Sequence, residues 1–185
     1  MQAKSSGKAA NRKIAGFLIG FAVLMIVFEV IYQGFLLENP IFEPWLKLNA
    51  KISGLLLQVL GEDISILGTR LFSPRSGVDI RAGCDAVEPI ALFSFAALAF
   101  PVAWSRRFKV VGLGLIALLA LNQVRIVSLY YFQIHSTELF DAAHIFIWPM
   151  FFIAVAAGMW AFWAAGAWKA QLAASQTPAS SSKEQ

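Results

Sequence analysis

Residues 110–132 read VVGLGLIALLALNQVRIVSLYYF. A helix crossing the ~30 Å hydrocarbon core of a bilayer needs about 20 apolar residues. This run has that length, yet it carries Asn122 and Arg125 in its second half. A charge there costs at least ~2.5 kcal/mol on insertion scales, and by default it marks function. Three more segments share the apolar character, at about Ile14 to Leu37, Val87 to Trp104 and His144 to Trp168.

Composition agrees. The chain is 58% hydrophobic and 14% charged, whereas soluble domains hold about 45–50% apolar and about 25% charged residues. The reading is an all-α integral membrane protein with four transmembrane helices. The net charge of +4 sits at segment ends rather than on one soluble face, which argues against a nucleic-acid partner. The single cysteine excludes an internal disulfide and is too few thiols for a zinc or iron–sulfur site. No metal and no cofactor is expected.

Basic residues set the expected orientation. Residues 1–13 carry Lys4, Lys8, Arg12 and Lys13, and Ser105-Arg106-Arg107-Phe108-Lys109 reads as a short basic turn. Four spans put the N-terminus, this turn and an Ala/Ser-rich tail at 169–185, expected to be disordered, on one side. The positive-inside rule makes that side cytoplasmic, with segments 38–86 and 133–143 outside. The first apolar segment lacks a small-residue cleavage site, so it is expected to stay as a helix.

The loop 38–86 holds two elements. Over 45–60, Trp45, Leu48, Ile52, Leu55 and Val59 recur at helical spacing while Lys47, Lys51 and Gln58 take the other face, which predicts an amphipathic helix lying in the interface. Over 63–83, Ile64/Ile66 and Val78/Ile80 alternate with polar residues, punctuated by Gly68, Pro74 and Gly77, which predicts a small outer β-hairpin. The hairpin delivers the chain to Cys84.

Three residues have chemistry to offer at one membrane face. Cys84 stands just ahead of a span, with Asp85 as candidate N-cap, Glu88 at capping-box spacing and Pro89 in the first turn. A helix N-terminus favours a thiolate, while the neighbouring carboxylates oppose it. Arg125 has its Cα roughly 11 Å from the outer end of its span, within snorkelling reach. Asn122 lies one turn away on the same face. His144 opens the last span and titrates near neutrality, with Asp141 three residues earlier to orient the ring. Each has a plainer reading: an inert interfacial cysteine, an intramembrane pair of Arg125 with Glu29, and an interfacial histidine, with His135 as a weaker competitor. Taken together, thiol, imidazole and guanidinium supply a nucleophile, an acid/base and a charge stabiliser.

Gly83-Cys84, Asn122-Gln123-Val124-Arg125-Ile126 and His144, over about residues 60–165, resemble the exosortase/archaeosortase family of membrane transpeptidases. The short length and the Cys-x-x-Val-Glu run resemble its compact exosortase H type. Many members read Cys-Ser-Gly or Cys-Asn-Gly where this chain has Cys84-Asp85-Ala86. The resemblance implies a multi-pass protein of the bacterial inner membrane with its active site on the outer face. Its partners would be exported proteins with a C-terminal motif, a hydrophobic helix and a basic tail. These would be cut through a thioester on cysteine and transferred to an acceptor amine that the sequence does not identify. Sharing a bilayer with such substrates raises effective concentration. Two other readings are a hydrolytic membrane cysteine protease and a non-enzymatic assembly or transporter subunit, in which small residues such as Ala156 and Ala161 pack helices.

Overall fold

The computed structural model describes residues 2–36 and 39–176. Helix α1 (Gln2–Ile31) continues into a π-helical turn, Tyr32–Leu36. A 3-10 turn, Pro40–Phe42, is capped by Asn39, whose side chain accepts from the Ile41 N–H, and leads into α2 (Glu43–Val59). Three short strands follow, β1 (Ser65–Leu67), β2 (Arg70–Phe72) and β3 (Gly77–Asp79), then α3 (Val87–Ala99) and α4 (Trp104–His135). Helix α5 (Thr137–Ala142), a second π-helical turn (Ala143–Ile147) and α6 (Trp148–Gln176) form one long helical stretch.

Among the described residues, three helical stretches are long and apolar enough to cross a membrane: Ile14–Leu36, Trp104–His135 and Thr137–Ala173. The expected second span, 87–104, is shorter. Phe100 precedes Pro101 and takes an extended conformation (φ −68°, ψ 135°), so α3 stops at Ala99; the proline ring disfavours helical geometry in the residue before it. At 13 residues, α3 is about 20 Å long, short of the ~30 Å core.

Several boundaries move. The expected basic turn belongs to the first turns of α4, and the true turn is 100–103. Arg107 secures it, donating from Nε to the Val102 carbonyl (2.8 Å) and from Nη1 to that of Leu98. The expected outer loop 133–143 is mostly helical, because Ser136 alone breaks the chain (φ −167°) and its hydroxyl accepts from the Leu139 N–H to cap α5. The tail expected to be disordered from 169 is helical to Gln176, and its remainder lies outside the described residues, as does Leu37 at the end of the expected first span.

The segment before Cys84 is a three-stranded antiparallel sheet, order β1-β2-β3, one strand more than the expected hairpin. Gly68, at φ +64°, turns the two-residue loop into β2; such loops require a positive φ. Ser73 makes the second turn, its hydroxyl accepting from the N–H groups of Arg75 and Ser76. Leu71 of the sheet and Ile80, just after β3, pack against Ala50 and Leu57 of α2 and Ile126 and Tyr130 of α4.

Helix α2 covers the predicted amphipathic segment, and most of the predicted apolar stripe points away from the bundle. Leu48, Ile52, Leu55 and Val59 are exposed, and Asn49, Ala50, Ser53, Gly54 and Leu57 are buried. The small face lets the sheet approach: a side chain at Gly54 would overlap Ile66. Helix α3 sits centrally, packed against α1, α4 and α6. Phe93 of α3 lies so close to Gly114 of α4 that a Cβ there would overlap its ring.

Candidate active site

Two positive-φ residues shape the loop that carries Cys84. Gly83 (φ +88°) is the third residue of a turn closed by the Cys84 N–H donating to the Arg81 carbonyl (2.9 Å). Ala86 (φ 61°, ψ 12°) is the N-cap of α3. The expected capping box is displaced by one residue: Asp85 stands ahead of the cap, its Oδ1 accepts from the Val87 N–H (3.0 Å), and Glu88 makes no reciprocal bond. The loop therefore turns left-handed twice within four residues, which lifts Cys84 out of the helix line.

Around this loop the three candidate side chains converge. Cys84 Sγ is 3.0 Å from His144 Nε2. Arg125 Nη2 lies 4.0 Å from the same sulfur, while its Nη1 donates to the Gly83 carbonyl at 3.0 Å. Only 5% of Arg125 is exposed. Its guanidinium also lies over the Phe152 ring, and its Nε has no hydrogen-bond partner among the described residues. Asn122 is fully buried and donates from Nδ2 to the Cys84 carbonyl and to Asn49 Oδ1, both at 3.1 Å. Arg125 and Asn122 thus each hold one carbonyl of the loop.

Asp141 makes no hydrogen bond to His144. The imidazole stacks instead on Phe140, one helical turn back (centroids 5.5 Å apart, 17° between planes). Glu29 does not pair with Arg125 either; it accepts from Gln33 Nε2 at 2.8 Å. His135 ends α4, its Nδ1 2.8 Å from the Tyr131 carbonyl oxygen.

Sequence reasoning missed a supporting set. Asn49 Oδ1 also accepts from Gln123 Nε2, and the Ser53 hydroxyl donates to Gln123 Oε1 (2.7 Å). This network fastens α2 to α4 beside Asn122. Asn49 and Ser53 are one helical turn apart, next to Ala50 and Gly54, and that small polar stripe was the available signal. Tyr32 donates to Asp85 Oδ2 (3.1 Å) from 53 residues away, and no local pattern announces it.

Burial pushes the Cys84 thiol above the usual range; the Arg125 guanidinium pulls it back and the Asp85 carboxylate pushes it up further. Asp85 is raised by its own burial, against which the Val87 N–H and the Tyr32 hydroxyl stabilise the carboxylate. Cys84 and His144 border a cavity of about 180 Å³ under β3. On the other side of the loop, Arg125, Glu29 and Glu88 border a second, of about 330 Å³.

A buried cation, a thiol and an imidazole from three segments thus meet at one place, a set of groups able to supply a nucleophile, a base and a charge stabiliser. The family model for transmembrane exosortases matches residues 13–176. No curated protein and no solved structure matches the chain. The match covers nearly all of the helical bundle and the whole Cys84 loop, so this chain belongs to the transmembrane exosortase family.

Proposed function

We propose that this protein is a membrane cysteine transpeptidase that cleaves C-terminal sorting signals of exported proteins, with Cys84 as nucleophile, His144 as acid and base, and Arg125 as charge stabiliser. The observation that carries this is the 3.0 Å approach of Cys84 Sγ to His144 Nε2, with Arg125 Nη2 at 4.0 Å.

The chemistry proceeds in two balanced halves. Neutral His144 accepts the thiol proton at Nε2, and the thiolate adds to the scissile carbonyl. The oxyanion formed is stabilised by the Arg125 guanidinium, already fixed by its bond to Gly83. Collapse breaks the C–N bond, and His144 returns its proton to the leaving amine, leaving a thioester on Cys84. An acceptor amine then attacks the thioester, His144 removes the amine proton, and the thiol is regenerated. Asn122 acts as a positioning residue through its bond to the Cys84 carbonyl. The substrate's hydrophobic helix shares the bilayer and presents its flanking motif at the height of the thiol. In this reading the site faces the outside of a bacterial inner membrane, and both termini are cytoplasmic.

The test is co-expression with exported proteins bearing hydrophobic, basic-ended C-termini. Cys84→Ala, Arg125→Ala and His144→Ala are each expected to abolish the size shift while the protein still inserts. Mass spectrometry is expected to find a substrate acyl adduct on Cys84 and an acceptor on the product. Normal processing by Cys84→Ala overturns the nucleophile assignment, and a product ending in a free carboxylate replaces transfer with hydrolysis.

A further inference from the structure

Away from Cys84, the first turns of α4 and the last turns of α6 border an open groove of about 590 Å³. Arg106, Lys109 and Lys169 stand along it, and Val110, Phe162 and Trp163 line its apolar part. All three cations are exposed, and among the described residues none has an ion pair or a side-chain hydrogen bond. Their neighbour Arg107 differs, since it is committed to the Val102 and Leu98 carbonyls. Neither α4 nor α6 contains an Asp or Glu, so neither helix carries a counter-charge of its own. Two of the cations also stand at the start of α4, where the helix dipole repels positive charge and favours an anion.

The groove adds what a solvated basic face lacks. Its apolar part is continuous with exposed surface on both helices, including Leu113 and Phe162. Gly166 borders it, and a Cβ at that position meets nothing within 4 Å. Cations above an aromatic, apolar trough between two membrane helices match one ligand chemistry, a phosphate joined to acyl chains.

We infer that this groove binds an anionic phospholipid, its phosphate held among Arg106, Lys109 and Lys169 and an acyl chain laid along Val110 and Phe162. The site is independent of the role given to Cys84.

The test uses the full chain in nanodiscs of mixed phosphatidylglycerol and phosphatidylcholine, with native mass spectrometry counting the lipids retained after release. The protein is expected to retain phosphatidylglycerol in preference. The triple variant Arg106→Gln, Lys109→Gln, Lys169→Gln is expected to lose that preference by at least about tenfold, since each juxtamembrane cation adds to anionic-lipid attraction. Gly166→Leu, which fills the groove and leaves the charges, is expected to lose it too. An unchanged alkylation rate at Cys84 verifies that both variants are folded. Equal retention of the two lipids, or full preference in either variant, overturns the site. Displacement by free glycerol phosphate as effective as by the lipid would make it an anion site only and overturn the lipid as occupant.

Discussion

At the scale of single residues, Cys84 and Ala86 carry the sharpest expectations. The thiol is held up by burial and drawn down by Arg125. Its alkylation by a maleimide in native membranes should therefore rise with pH through a midpoint above that of an ordinary thiol. Arg125→Gln removes the nearest cation and should move the midpoint higher, slowing alkylation several-fold at mildly alkaline pH, since thiolate fraction changes about tenfold per pKa unit. The sign for stability follows: a raised pKa favours the protonated form in the fold, so this contribution is complete below the ordinary thiol pKa and is lost as pH rises through the raised value. A midpoint below the ordinary thiol would show that an imidazolium holds the thiolate and that burial does not dominate. Ala86 stands where the resemblance implies a glycine and takes the conformation that glycine favours (φ 61°). Relief of left-handed strain in Ala86→Gly is worth about 1–2 kcal/mol. Against it stand about 0.5–1 kcal/mol of chain entropy and about 0.8 kcal/mol for a buried methyl. The substitution should be neutral to within about 1 kcal/mol by denaturant unfolding. Ala86→Val, β-branched in the same conformation, should cost at least about 2 kcal/mol.

Among the elements, the two π-helical turns have the most to do with the site. Tyr32 opens the first and reaches Asp85; His144 lies in the second and reaches Cys84. Each widened turn inserts part of a residue's rotation into a long helix, re-aiming one polar side chain without breaking the membrane-spanning stretch. Deleting Ile145 should restore ordinary spacing and turn His144 away from its present direction toward the loop. Processing should then fail while circular dichroism keeps its helical signal; retained processing would show that the turn is incidental. These turns also mark the limit of what the sequence discloses. Apolar length exposed the long helices, and the cost of a buried charge exposed Arg125, because both signals are local. Periodicity placed α2 within two residues at each end but not its partners: the exposed stripe of Leu48, Ile52 and Val59 is what the pattern detects, while the face that grips α4 is built from Asn49, Ser53 and Gly54. Alternation exposed strands without their number, since the Ser73 hydroxyl that forms the second turn acts through backbone contacts two and three residues on. Spacing put Asp141 near His144 but did not disclose that the ring would stack on Phe140 with no hydrogen bond to Asp141.

Across the whole molecule, charge is distributed unevenly between two ends. At the Cys84 end, Lys47 pairs with Glu43, Arg75 with Glu62, and Arg70 and Arg81 with Asp79, so that among the basic residues of the described part of segment 38–86 only Lys51 has no ion pair. At the other end, Arg106, Lys109 and Lys169 have no such partners among the described residues, and Gln171 Nε2 of α6 donates to the Pro101 carbonyl (3.0 Å), joining the end of α6 to the α3–α4 turn. Phe17 of α1 packs against Phe100 and Trp160 in the same half. Bare cations resist transfer across a bilayer more than neutralised pairs do, so the unpaired end is expected to stay in the cytoplasm. Helix α4, 32 residues long and so about 48 Å, is more than long enough for its two ends to emerge on opposite sides. The single cysteine makes this measurable without engineering a background. A membrane-impermeant maleimide applied to cells with a permeabilised outer envelope should label Cys84. The double variant Cys84→Ala, Ser105→Cys, with its thiol at the exposed start of α4, should remain unlabelled until the inner membrane is opened. The reverse pattern would place the thiol on the cytoplasmic side, out of reach of an exported protein's flanking motif, and the sorting role would have to be abandoned even with the thiol–imidazole geometry intact.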